Sequence, residues 1–404
     1  MVQHLRLSSR FSGTCVGLAF ALTSFTMAVT APAAHATDLV QITTCGQSVN
    51  ADAILMKNLT CADDGLAITG DGVTVDLDGH VIRSTTGTGR GIVLDGPRGS
   101  TATVRGPGNV KGFQTGIDAL EYLGFPPQPA SPYRHHLIVN GVRLLDNMSG
   151  IQVLDSLTDV TASTIRGTNG IGTPGGPSSP TSAGVVNLDS SSVKSTGTAL
   201  QSPLGGEMYV RHSQVSGGTI YQGLNTHVDV ADSTLKEVRI YAVDGFMTIE
   251  RSLMVDTSVS LVVTGGSFND NVIRSTRGGV AFDDNSGGYA TSFEGNRFSG
   301  WDNAIQIASS SSGVNITNNR FDHNVTGIRT QCSGGGAIRS NTLRSNTGDA
   351  IVIECGQWAV GGNRMLNNGG LGINAAGAQI TDEGGNIARG NAEPQCIGVV
   401  CLPR

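Results

Sequence analysis

Gly327-Ile328-Arg329, followed by Ser340-Asn341-Thr342-Leu343-Arg344-Ser345-Asn346, stands inside a stretch, residues 265–391, that repeats itself. Asn271, Asn296, Asn319, Asn341, Asn363 and Asn386 recur at intervals of 25, 23, 22, 22 and 23 residues. Two positions after them come Ile273, Phe298, Phe321, Leu343, Met365 and Ala388. A second series keeps step: Gly279-Val280, Ala304-Ile305, Gly327-Ile328, Ala350-Ile351 and Gly372-Ile373. A fixed period of this size, built from short apolar–polar alternations, marks a solenoid.

Runs such as Ala304-Ile305-Gln306-Ile307 and Ala350-Ile351-Val352-Ile353 alternate with period 2, so they are strands. Gly, Asn, Ser and Asp, which suit tight turns, separate them. No run is long enough for a crossover helix. A strand–turn unit of this length closes one rung and begins the next, which predicts an all-β fold: a single-stranded right-handed parallel β-helix of about 14 rungs. Stacked rungs put equivalent turn positions ~4.8 Å apart. An Asn amide both donates and accepts, so the Asn column reads as a side-chain ladder, and the apolar column two residues on fills the bore. Cys332 and Cys355 each lie five residues after the Gly or Ala of a rung. They occupy the same position on successive rungs, within disulfide reach.

The chain has 404 residues, a formal charge of −6, 57 glycines and only 5% aromatics. Aliphatic residues are spread evenly, which argues against disorder. Arg6 and Arg10, the apolar run from Cys15 to Val29, and Ala34-His35-Ala36 form a signal peptide over residues 1–36. The run is too short to span a membrane, so no membrane span is expected. Cleavage leaves 24 basic and 32 acidic residues, hence −8. That balance argues against nucleic-acid binding and makes a polyanionic glycan a less obvious ligand without a local basic groove. Six cysteines remain, and nearness in sequence pairs Cys45 with Cys61, Cys332 with Cys355, and Cys396 with Cys401. An exported, oxidising compartment, periplasmic or extracellular, permits this. No spacing resembles a zinc site.

Residues 37–64 read as an N-terminal cap segment stapled by Cys45 and Cys61, residues 65–391 as the β-helix, and residues 392–404 as a C-terminal cap. Gly91-Ile92, Gly116-Ile117, Gly150-Ile151 and Gly184-Val185 open rungs. Between about Gly205 and Thr264 the rungs shorten to nearer 20 residues and their register is weakly marked. Two 34-residue intervals each carry about 11 extra residues. These are Tyr122 to Arg134, with four prolines, and Gly170 to Ser182, with three. Loops leaving a rigid scaffold on neighbouring rungs line a binding face or decorate the surface.

The repeat units quoted above resemble the secreted right-handed β-helix proteins of the pectate-lyase-like superfamily, and within it the generic parallel-β-helix-repeat proteins. The resemblance covers residues 65–391. It implies the fold and a choice of functions, from polysaccharide lyases, polygalacturonases and mannuronan epimerases to tailspikes and adhesins. The superfamily's catalytic motifs depart here. Asp283-Asp284 is an adjacent acid pair, but no GHG or RIK follows as in polygalacturonases, and the DPHE and WIDH-type motifs are absent.

Three groups of residues could carry chemistry. Asp95, Glu121, Asp155 and Asp189 follow Gly–apolar strands at nearly equivalent positions, so stacked neighbours would perturb each other's pKa. Such a pair suits acid, base or nucleophile work on a glycosidic bond, or would hold Ca²⁺. An Asp at a strand end also caps the next turn. The second group is Tyr133-Arg134-His135-His136, where the first insertion rejoins the scaffold. Arg134 and His135 suit the cation and base that lyase chemistry needs, and of two adjacent histidines on a strand at most one faces a groove. The third is Asp302 and Asp349, at the strand-start position where polygalacturonases place catalytic acids. Arg297, Arg320 and Arg364 read as a solvated face.

The sequence thus predicts a secreted β-helix protein that acts on or binds a polysaccharide, as a lyase or glycoside hydrolase, with a monomeric state and a polysaccharide or cell-surface glycan as partner. The alternative is a non-catalytic adhesin or interaction rod.

Overall fold

Period-two alternation becomes strand throughout. The computed structural model describes residues 39–97, 99–120, 135–154, 156–172, 184–202, 205–308, 311–332 and 334–403. Among these there is no helix, and the strands stack in parallel into three faces visited in turn. The first face starts with Val40–Ile42, Ala53–Leu55 and Val73–Asp76 and ends with Gln379–Gly384. The second runs from Leu59–Cys61 and Val81–Ser84 to Asn386–Arg389 and Cys401–Leu402. The third runs from Gln47–Val49, Leu66–Ile68 and Arg90–Leu94 to Ile373–Asn374 and Cys396–Ile397. This is a parallel β-helix of about 14 turns. Strands of residues 40–61 and 396–402 already stack in register with it, so both ends continue the coil.

Parallel stacking puts like residues in columns, and the bore selects for size. Ile273, Phe298, Phe321, Leu343, Met365 and Ala388 are all buried. Phe298 stacks on Phe321 with ring centres 4.8 Å apart, and Phe268 stacks on Phe293 at 5.1 Å with Phe282 edge-on to both. Such pairs add about 0.5–1.5 kcal/mol beyond area burial. The glycine of the Gly–Ile pairs has a steric reason. A Cβ on Gly91 would stand 2.2 Å from Val110 and 2.6 Å from the Gly116 carbonyl, and one on Gly116 would stand 2.6 Å from the Gly150 carbonyl.

The Asn ladder runs at the corner between the first and second faces. Each Nδ2 donates to the next Oδ1, from Asn271 through Asn296, Asn319, Asn341 and Asn363 to Asn386, over 2.9–3.1 Å. Towards the N-terminus serines take over: the backbone N–H of Ser191, Ser213, Ser233 and Ser252 donates to the side chain one rung on, ending at Asn271. A second ladder, unforeseen in the sequence reading, joins Asn324, Asn346, Asn368 and Asn391 at the corner between the second and third faces, closed by Gln395. It lies five residues after the first series, so the same period signals it.

All three disulfides form: Cys45–Cys61, Cys332–Cys355 and Cys396–Cys401. No helix among the described residues is long and apolar enough to cross a membrane.

One register expectation is corrected. The third-face strand after Gly150-Ile151 is Gly170-Ile171, since Ile151 pairs with Ile171 and Ile171 with Leu200. Val185 pairs instead with Leu157 on the first face. The interval from Gly150 to Gly184 therefore holds a complete rung plus the extra residues, and a Gly–apolar pair opens strands on two different faces. The weakly marked region resolves into rungs of 19–22 residues, read from the serine spacings.

Candidate functional site

Both proline-rich segments depart from one corner, between the third and first faces. One lies between the strands Thr115–Leu120 and His135–Leu154, the other between Thr164–Gly172 and Val185–Asp189. The segments themselves, with Glu121 and Arg134, lie outside the described residues, as does Asp155. Asp95 is exposed just past the end of a third-face strand, with its N–H on the Ile68 carbonyl at 2.8 Å. Glu121 and Asp155 follow Leu120 and Leu154, which pair with each other as third-face ends.

Asp189 does not belong to that series. It ends a first-face strand, across from Thr161 and Arg211, and its Oδ1 lies 2.8 Å from His212 Nδ1. The misread register of Val185 carried it to the wrong face. His135 is buried, with Nδ1 3.1 Å from Ser100 Oγ. The outward histidine is His136, whose Nε2 is 2.6 Å from Asp159 Oδ2, while Asn187 donates to Asp159 Oδ1 at 2.6 Å. Asp302 and Asp349 accept backbone N–H groups from adjoining rungs, those of Gly279 at 2.8 Å and Leu371 at 2.7 Å. They bind turns together.

The carboxylate that stands out is Asp118, which sequence reasoning passed over. Ile117 and Ala119 point into the bore, so strand alternation aims Asp118 outward. It is nevertheless only 6% exposed. Burial pushes its carboxyl above the usual carboxylate range, and the Leu120 N–H at 3.1 Å and the Arg90 guanidinium at 3.4 Å offset only part of this. Arg90 is shared, since its other nitrogen holds Asp64 at 2.6 Å. Burial raises Asp64 too, but the hydrogen bonds and charge of Arg90 win and lower it in sum. Two acids are thus pushed apart around one cation. This is the pattern that separates acid and base roles.

Asp118 also stands in an outward column, after Ser48, Ala67 and Val93. Cross-strand neighbours continue it through Gln152, Gly172 and Gln201 to Tyr221, Tyr241, Ser260 and Asp283. From Asp118 to Tyr221 is four rungs, roughly 19 Å at the usual strand spacing. Amides and tyrosines in a line offer hydrogen bonds and flat apolar faces to an extended chain. Asp284, next to Asp283, points inward. It is fully buried and its carboxyl is raised by burial, with Ser286 N–H and Ser311 Oγ on Oδ1 and no partner for Oδ2. Among the described residues, no group of three or more His, Cys, Asp or Glu side chains is placed to hold a metal ion.

Residues 231–401 match the protein family described as periplasmic copper-binding protein (NosD). No curated protein matches the chain in sequence. Among solved structures it is similar to the A-module of the Azotobacter vinelandii mannuronan C-5 epimerase AlgE6, at 11% identity and a TM-score of 0.36, over 92% of this chain and 93% of that one. It is similar to the catalytic domain of a GH87 α-1,3-glucanase at 11% identity and 0.35, over 86% and 64%. The Agl-KA catalytic domain matches at 10% identity and 0.32, and the chain spans 62% of its length. At these identities the likeness concerns the fold alone. The chain has a parallel β-helix fold and is similar over residues 231–401 to the NosD family.

Proposed function

We propose that this protein is exported through residues 1–36 and acts on a polysaccharide laid along the third face, as a lyase or glycoside hydrolase, with Asp118 as its proton-handling carboxyl. The observation that carries this is an outward-aimed yet buried carboxyl beside an arginine. It stands at the corner where both extra segments leave the coil. In hydrolysis, Asp118 would deliver its proton to the glycosidic oxygen, and the exposed Asp95, or Glu121 or Asp155, which follow Leu120 and Leu154 in sequence, would serve as base or nucleophile. In elimination, Arg90 or Arg134 would steady the charge that develops next to the uronate carboxylate. Three disulfides fit an oxidising compartment outside the cytosol.

The test is incubation of the purified protein with a broad panel of neutral and uronate glycans, with and without Ca²⁺. New reducing ends or unsaturated products are expected. They should fall roughly 10²- to 10⁴-fold in Asp118→Asn with the fold intact. No product from any glycan, or full activity in the variant, would refute this assignment.

One observation favours the non-catalytic alternative. Three of the candidate acids are engaged in structure: Asp302 and Asp349 hold backbone amides, and Asp189 holds His212. Glycan binding that survives Asp118→Asn without any turnover would select that reading.

Copper, named in the description of the matching family, is not the ligand we propose. Copper sites draw on imidazole, thiolate and thioether donors. Residues 231–401 hold a single histidine, His323, and their four cysteines are all in disulfides. Their three methionines, Met247, Met254 and Met365, are buried in the bore. That donor set does not fit copper.

A further inference from the structure

The six tyrosines are unevenly placed. Tyr122 and Tyr133 fall in the first proline-rich segment of the sequence, and the other four, Tyr209, Tyr221, Tyr241 and Tyr289, lie in or beside strands that meet at the corner between the third and first faces. On the third-face side Tyr221 stacks on Tyr241, with ring centres 5.9 Å apart and 24° between planes. On the first-face side His227 stacks on Phe246 at 6.1 Å and 3°. Phe246 is followed one rung on by Gly265, and a Cβ there would meet Tyr289 at 3.3 Å and Phe246 at 3.4 Å. The missing side chain brings Tyr289 beside Phe246. Tyr241, Phe246 and Tyr289 are 41%, 43% and 46% exposed, whereas the phenylalanines of the bore are sealed. Leu224 and Val263 are exposed between the two stacks. Exposed aromatic rings gathered about one corner mark an interaction site.

The chemistry around it chooses the occupant. Flat rings with polar edges, one rung apart, suit a chain of pyranose rings, each with an apolar C–H face and a hydroxyl rim. Glu207, Asp229, Asp244 and Asp283 flank the surface, and the nearby Arg211 is held by Asp229 at 2.6 Å. Arg239 is exposed two residues before Tyr241 on the same side of its strand, but the four carboxylates outnumber it and Arg211, and a net acidic margin disfavours polyuronates and nucleic acids alike. We infer that the corner bearing Tyr221, Tyr241, His227, Phe246 and Tyr289 is a stacking platform for a neutral polysaccharide. This inference rests on the glycan reading above and narrows it. The bound chain continues along the outward column through Gln201 and Gln152 to Asp118.

Binding of the full-length mature protein to a soluble mixed-linkage glucan, a glucomannan and a xylan, against polygalacturonate and alginate, tests this by affinity electrophoresis and calorimetry. At least one neutral polymer should bind more tightly than either uronate. The double variant Tyr241→Ala/Phe246→Ala should weaken that binding at least tenfold, with an unchanged far-ultraviolet circular dichroism spectrum, while Thr342→Ala, on the second face, binds as the parent does. Parent-like binding by the double variant, or a preference for the uronates, overturns the inference. If the platform variant binds normally while Asp118→Asn abolishes turnover, the platform falls and the assignment of Asp118 stands. If the parent binds and cleaves no glycan at all, both fall together.

Discussion

Asp118 carries a consequence that needs no substrate. Its carboxyl is raised in the folded protein, chiefly by burial, so folding favours the protonated form. The stabilisation is present at low pH and is lost as pH rises through the raised pKa. At neutral pH the buried carboxylate is a net cost that Arg90 offsets in part. Asp118→Asn should therefore raise resistance to denaturant at pH 7 and give no gain near about pH 3, below the ordinary carboxyl range. Paired denaturation curves at the two pH values check this. Equal gains at both would place the effect outside ionisation. Tyr209 offers a second single-residue test. Its hydroxyl donates to Glu207 Oε2 at 2.7 Å, and that bond pushes its pKa up to about 12. An ultraviolet titration of the phenols should end in one late step, absent from Tyr209→Phe.

Among the elements, the ladders bear the most weight. Asn341 accepts from both the N–H and the Nδ2 of Asn319, and donates to Asn363 and to the Ile316 carbonyl. Asn341→Ala strands the buried N–H of Asn319, whose Nδ2 keeps the Phe293 and Thr317 carbonyls, and takes a donor from the Ile316 carbonyl. At ~1–3 kcal/mol for each unsatisfied group, the expected loss is about 3 kcal/mol, read from denaturant unfolding. Thr342→Ala, one residue on and facing outward, should stay within about 0.5 kcal/mol. The first ladder was legible because one residue type recurs with a period long enough to exclude chance. The second was not read, because Asn324 and Asn346 look like ordinary turn residues until the rungs are stacked. The serine column was hidden for a related reason: its rungs are shorter, and serine is common in every turn. Asp118 was illegible in another sense. In Gly116-Ile117-Asp118-Ala119 it takes the outward place of any polar strand residue, and its burial comes from packing that no local pattern encodes.

At the scale of the molecule, each rung touches only its neighbours, so the two ends should respond independently. Cys45–Cys61 closes a loop with a sequence separation of 16, worth about 3 kcal/mol in the chain-entropy picture. Replacing both cysteines by serine should speed amide exchange in the strands from Val40 to Leu94 and leave those beyond Asn341 unchanged. Hydrogen exchange with peptide resolution measures this. Uniform loss of protection would mean that the coil melts as one unit.

The pairing of Arg297-Phe298 with Arg320-Phe321, both preceded by a ladder asparagine, has a consequence for how such a molecule changes over generations. Excising residues 297–319 would join Asn296 to Arg320-Phe321 and recreate the junction already there, with every cysteine keeping its mate. Recombination between neighbouring copies can therefore shorten or lengthen the protein in whole steps. Its reach is a heritable setting, adjustable without redesigning either end.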